Sequence, residues 1–125
     1  MPGSVSGMPS VLGAGPSDTL EATLRRARAD VADVTDQLAA IAESTALVPD
    51  DEHDAEGATI GYERARLRSL LARAEAEVGE LEAALGRLAH GAYGRCTACG
   101  ERIPGERLAA LPATAFCLAC ARDRR

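Results

Sequence analysis

Two long stretches of this chain repeat apolar residues in alternating steps of four and three. The first runs Leu20, Leu24, Ala27, Val31, Val34, Leu38 and Ile41 without a break. The second runs Ile60, Arg64, Leu67, Leu71, Ala74, Val78, Leu81, Leu85 and Leu88, with Arg64 as its charged member. A seven-residue repeat of this kind draws one narrow stripe along a helix, the seam by which helices pack in coiled coils. The pattern predicts two helices. The first begins near Ser17 or Asp18, because Ser17, Asp18 and Glu21 suit a helix N-terminus and its dipole. It ends near Thr45 to Leu47, since Pro49 disfavours helical backbone at the residue before it. The polar segment 49–57 then reads as a turn or loop.

Two heptad helices joined by so short a connection fold back on one another as an antiparallel hairpin. A register follows from residue numbers alone. Pairs that sum to 105 match Leu20 with Leu85, Leu24 with Leu81, Val34 with Leu71, Leu38 with Leu67 and Ile41 with Arg64. Small residues face larger ones throughout, as Ala27 with Val78 and Val31 with Ala74, and the midpoint falls between Glu52 and His53. Arms of this length span roughly 40–45 Å at 1.5 Å per residue.

Composition supports the hairpin over a thick globule. The 125 residues are 46% hydrophobic, but 26 of them are alanine and the aromatics are Tyr62, Tyr93 and Phe116. Alanine favours helices and lets them approach closely, whereas it fills a broad core poorly. Gly79 and Gly86 interrupt the second helix, either to admit close packing or as tolerated costs. Residues 1–17 carry no charged side chain and are rich in Gly, Ser and Pro, the composition of a flexible tail. No apolar run reaches the length of a membrane span, and no charged stretch precedes an apolar one as in a secretory signal. A cytoplasmic protein without membrane attachment is expected.

Charge is unevenly distributed. The net −5 divides into −3 for residues 18–46, −5 for 47–58, −1 for 59–85 and +4 for 86–125. The predicted hairpin tip is therefore acidic and the C-terminal end basic.

All four cysteines lie in that basic end, as Cys96-x2-Cys99 and Cys117-x2-Cys120. Two residues between thiolates let a tight turn direct both sulfurs at one ion, and Gly100 suits the positive φ such a turn often needs. The spacing is that of a tetrathiolate zinc site, and Arg95, Arg102 and Arg107 nearby would favour thiolate. Four sulfur ligands leave no open position, so one structural Zn2+ is expected. Disulfides are the rival reading, disfavoured in a cytoplasmic chain. Release of zinc on oxidation is compatible with the same residues. The expected organisation is mainly α: a tail 1–17, a long antiparallel coiled-coil hairpin 18–90 with an acidic tip 49–58, and a small four-cysteine zinc-finger module 91–125.

The heptad hairpin, followed by Tyr93-Gly-Arg-Cys96-x2-Cys99-Gly-Glu101, Ile103, Arg107-Leu108 and Pro112-x4-Cys117-x2-Cys120, resembles the DksA/TraR family of bacterial transcription factors. The resemblance covers about residues 18–121. It implies a regulator that binds RNA polymerase through its secondary channel without sequence-specific DNA contacts. In that picture the zinc end sits at the channel rim, and the acidic tip reaches towards the active site to alter initiation. Asp51, Asp54 and Glu56 are then the candidate partner-binding residues, and no catalytic residue is expected.

Two departures from the family pattern bear on this reading. The family tip commonly reads Asp-x-x-Asp-x-Ala; ungapped counting from Cys96 places His53, Glu56 and Ala58 there, and a shifted reading uses Asp51 and Asp54. Members that respond to guanosine tetraphosphate carry basic residues where this chain has Glu80, Leu111 and Ala121, although Arg73 and Arg107 remain. A carboxylate gives an anionic nucleotide little, so coupling to it is not expected. The alternatives are a Gre-like transcript-cleavage cofactor using the acidic tip, or a zinc-containing coiled-coil adaptor. A DNA binder using the Arg122–Arg125 tail is disfavoured by the acidic overall charge. His53 and His90 read as exposed loop or helix-end residues.

Overall fold

The computed structural model describes residues 15–46 and 54–124, with residues 54–56 described by backbone alone. Two long helices, α1 (Pro16–Ala46) and α2 (Asp54–Ala89), precede two short ones, α3 (Gly105–Ala110) and α4 (Leu118–Asp123). These residues form two compact units. One joins the start of α1, through Leu24, to everything from Gly79 onward; the other is Arg25–Val78.

Helix α1 starts one residue before the expected Ser17. The Thr19 N–H donates to the Gly15 carbonyl at 3.0 Å, so Gly15 caps the helix and Pro16 takes its first position. Proline fits there because its ring fixes a helical φ and its missing N–H would have had no partner. Helix α2 begins at Asp54, so residues 54–57 are helical where the sequence pattern predicts loop. Acidic residue types are favoured in a first turn, and Gly57 inside the helix costs only about 1 kcal/mol against alanine. The remainder of the expected tip, including Asp51 and His53, lies outside the described residues, as does most of the expected tail 1–17.

Within Arg25–Val78 the seam read from sequence is the buried stripe. Ala27, Val34 and Leu67 are buried, while Val31, Leu38, Ile41, Thr45, Ile60, Arg64, Leu71, Ala74 and Val78 are half-buried. Leu38, Ala42, Thr45 and Ala46 line one groove together with Arg64 and Arg68, the antiparallel order that the register predicts. The other unit buries Leu20, Leu24, Leu81 and Ala84. Ala84 takes the place expected for Leu85, which is half-buried. Leu81, Ala84 and Leu85 lie three and four residues apart on one helix face, so the apolar stripe here is wider than a single seam. Among the described residues no helix is long and apolar enough to cross a membrane.

A Cβ built at Gly79 or at Gly86 would meet nothing within 4 Å, so close packing demands neither glycine. Both are tolerated costs. Gly79→Ala is expected to raise the stability of the hairpin by about 1 kcal/mol. Leu67→Ala, which empties a fully buried seam position, is expected to cost about 2–4 kcal/mol. Thermal unfolding followed at the helical circular-dichroism minimum measures both changes, with opposite signs.

Candidate metal centre

The module begins where α2 stops. The Ala92 N–H donates to the Arg87 carbonyl at 2.8 Å and the Gly91 N–H to Leu88 at 3.2 Å, with Gly91 at φ +74°. This is the paired capping of a helix end through a left-handed residue, which glycine adopts without penalty. The chain then doubles back: the Ile103 N–H donates to Gly94 at 2.7 Å and the Cys96 N–H to Glu101 at 2.8 Å. Beyond the second bond sits the tight turn Cys96–Gly100. The Gly100 N–H closes it on the Cys96 carbonyl at 2.9 Å, and Gly100 has φ +81°, as the sequence motif anticipates.

The second cysteine pair is placed by α4. Cys117 is its N-cap residue, with extended backbone at φ −68° and ψ 167°, and Cys120 follows within the helix. The two cysteine pairs meet. All four Sγ atoms lie within 4.8 Å of one another, and none is in a disulfide. Cys99 Sγ and Cys117 Sγ are 3.8 Å apart. Four thiolates each about 2.3 Å from a central ion form a tetrahedron with edges of about 3.8 Å. The donor set therefore fits one structural zinc, bound by four sulfurs with no position left for substrate. We propose Cys96, Cys99, Cys117 and Cys120 as its ligands.

The protonation of the thiols explains why a cation belongs here. The backbone N–H of Cys117 is the main influence holding the Cys96 thiol down to about 6, aided by the amides of Cys99 and Ala98 against desolvation. Cys120 is pushed up to about 12 by the Cys117, Cys96 and Cys99 thiols around it and by burial. At Cys99 the Glu101 N–H pulls downward, but burial and the Cys96 and Cys117 thiols outweigh it and the net shift is upward. One thiolate forms readily. Each further negative charge meets its neighbours, and only a divalent ion stabilises the full set.

The arginines act differently from the sequence expectation, because backbone amides rather than guanidinium groups lower Cys96. Arg95 donates to the Gly100 carbonyl at 3.3 Å, and Arg107 donates to the Phe116 carbonyl at 2.9 Å. Arg124 lies over the Phe116 ring, 4.4 Å from its centroid. Arg87 of α2 donates to the carbonyls of Ala113 and Thr114, both at 3.3 Å, and the Tyr93 hydroxyl donates to Pro112 at 2.7 Å. These contacts fasten the irregular segment 112–116, which leads into Cys117, onto the end of α2. Periodicity gave no sign of them. His90 is exposed at the end of α2, its Nδ1 2.8 Å from the Gly86 carbonyl.

Zinc uptake at pH 7 must displace the protons of Cys99 and Cys120, whereas Cys96 is already largely ionised. Release of roughly two to three protons per zinc is expected, with apparent affinity rising with pH and falling steeply below about pH 6. Calorimetric titrations in two buffers of different ionisation enthalpy count these protons; zero release contradicts the assignment.

Comparison with known proteins places this site. Residues 91–125 match the model of the prokaryotic dksA/traR C4-type zinc finger. An uncharacterised protein of Aquifex aeolicus (strain VF5) is 44% identical over 48 residues, 38% of this chain and 33% of the relative. The match thus spans about a third of that relative's length. Among solved structures, transcription factor DksA2 from Pseudomonas aeruginosa superposes with a TM-score of 0.71 at 24% identity, covering 87% of this chain and 79% of that one. DnaK suppressor protein from Agrobacterium tumefaciens C58 shares 33% identity over 82% of this chain and 91% of its own, with a TM-score of 0.44. The DksA2 likeness bears on the fold, a helical hairpin with clustered cysteines at its C-terminal end. The thiol cluster carries the rest: residues 91–125 form a zinc finger of the prokaryotic dksA/traR C4 type, the family model that they match.

Proposed function

We propose that the chain is a transcription regulator of the DksA type, working in the cytoplasm by binding RNA polymerase through its secondary channel. The observation that carries this reading is the dksA/traR zinc finger at residues 91–125, closed by four clustered cysteines and following a helical hairpin. The zinc end stands at the channel rim, and the acidic tip, with Asp51, Asp54 and Glu56, acts near the catalytic centre. Five acidic residues within 49–58 form a field suited to basic side chains or to a Mg2+ ion. Asp54 and Glu56 stand in the first turns of α2 rather than in a loop, so helical backbone fixes their spacing.

Sequence-specific DNA binding is no part of the proposal. Arg87, Arg107 and Arg124 serve the module's own carbonyls and Phe116, which engages guanidinium groups that phosphate contacts would need. The protein acts on an enzyme without being one, since a closed tetrathiolate site offers no position for substrate chemistry. Guanosine tetraphosphate is not expected to couple to it. Glu80 is an exposed carboxylate, Leu111 is exposed, and the Arg107 guanidinium is bound to Phe116 and Thr114.

Two outcomes test this. Wild type and the Asp51→Asn/Asp54→Asn/Glu56→Gln variant should both co-purify with RNA polymerase, while only wild type changes initiation in a purified transcription assay. Failure of wild type to bind polymerase contradicts the proposal. Adding guanosine tetraphosphate should leave the wild-type effect unchanged; nucleotide-dependent enhancement that is lost in Glu80→Ala would refute the nucleotide reading.

A further inference from the structure

The zinc module carries a feature that the metal site does not use. Arg95 and Arg102 are paired across the antiparallel bridge of the Cys96–Gly100 turn. The flanking hydrogen bonds run from Ile103 to Gly94 and from Cys96 to Glu101, so the two arginines form the pair lying between them. Such a pair has the closer side-chain spacing of an antiparallel ladder, with Cα atoms about 4.5 Å apart. Like charges placed opposite one another there are destabilising. Both side chains are exposed, and among the described residues no carboxylate forms an ion pair with either. One N–H of Arg95 reaches the Gly100 carbonyl, and both guanidinium groups belong to exposed residues.

Beside the pair lies a groove of about 630 Å³, lined also by Tyr93, Gly94, Pro104, Gly105 and Leu108. It thus joins two cationic forks to a partly apolar wall. Carboxylates and phosphates both match a guanidinium fork. Nucleic-acid phosphates are disfavoured because a backbone-tracking surface needs several free cations in a row, and this groove offers only Arg95 and Arg102. The mixed lining instead suits a polypeptide in which acidic residues alternate with apolar ones.

We propose that this groove docks an acidic segment of a protein partner, with its carboxylates held by Arg95 and Arg102 and its apolar side chains against Pro104 and Leu108. The inference rests on the polymerase reading, in that the segment belongs to the polymerase. The unfavourable arginine pair is then relieved on binding, when carboxylates enter between like charges.

The test uses the zinc-loaded full chain. Its binding is measured to RNA polymerase and, separately, to a fluorescein-labelled peptide of alternating glutamate and leucine. Arg95→Gln/Arg102→Gln should weaken both by roughly tenfold or more, an effect that fades as salt is raised. Arg25→Gln, an exposed arginine of α1, should bind as wild type. Removing a like-charge pair leaves the module folded, which unchanged zinc content verifies. Equal polymerase binding by wild type and the double variant overturns the proposal. So does arginine-dependent binding of a short single-stranded RNA in preference to the peptide. Arginine-dependent peptide binding by a chain that ignores polymerase supports the groove's chemistry and contradicts the polymerase reading.

Discussion

Four thiols held within 4.8 Å of one another cannot all carry negative charge unless a cation sits among them. Everything after α2 depends on that constraint. From Gly91 onward, Cys96 and Ile103 are the buried residues among those described, far too little apolar surface to hold three dozen residues in one arrangement. Zinc binding by small thiolate modules contributes on the order of 10 kcal/mol, which replaces the missing core. The low Cys96 and high Cys120 values express the same fact from the proton's side. Backbone amides prepare one thiolate, and its neighbours resist the rest until the metal arrives.

The hairpin is held by a different set of contacts. Its seam buries leucines at Leu20, Leu24, Leu67 and Leu81, with alanines at Ala27 and Ala84 allowing the backbones to approach. Each fully buried leucine stabilises by about 1.5–3 kcal/mol, so a few per helix suffice where no thick core exists. Arg87 and Tyr93 then tie the end of α2 to the segment that delivers Cys117. The metal fixes the cysteines, and these hydrogen bonds fix the metal module to the end of its helix.

The hairpin seam was readable because heptad spacing reports burial directly. Every position named in the first helix, from Leu20 to Ile41, is buried or half-buried. The positions named in the second are buried or half-buried too, and Ala84, which a one-residue-wide seam passes over, is buried beside them. The start at Pro16 was legible in principle from Gly15 and proline's preference for a first helical position, but Ser17 and Asp18 offered a competing signal. At the metal site the cysteine spacing and Gly100 announced the turn. The partners of Arg87, Arg107 and Arg124 did not show, because they are carbonyls and a ring in an irregular segment positioned by the metal rather than by any repeat. Nor did the Arg95–Arg102 pairing, which exists only once Cys96 and Cys99 fold the chain back on itself.

The central claim is that zinc folds residues 91–124 while the hairpin seam stands without it. Hydrogen exchange of the full chain, with zinc and after chelation, measures this at each amide. The N–H groups of Cys96, Gly100 and Ile103 are predicted to lose protection on chelation, while those near Val34 and Leu67 keep theirs. Equal protection of the Cys96–Ile103 turn with and without metal would contradict it.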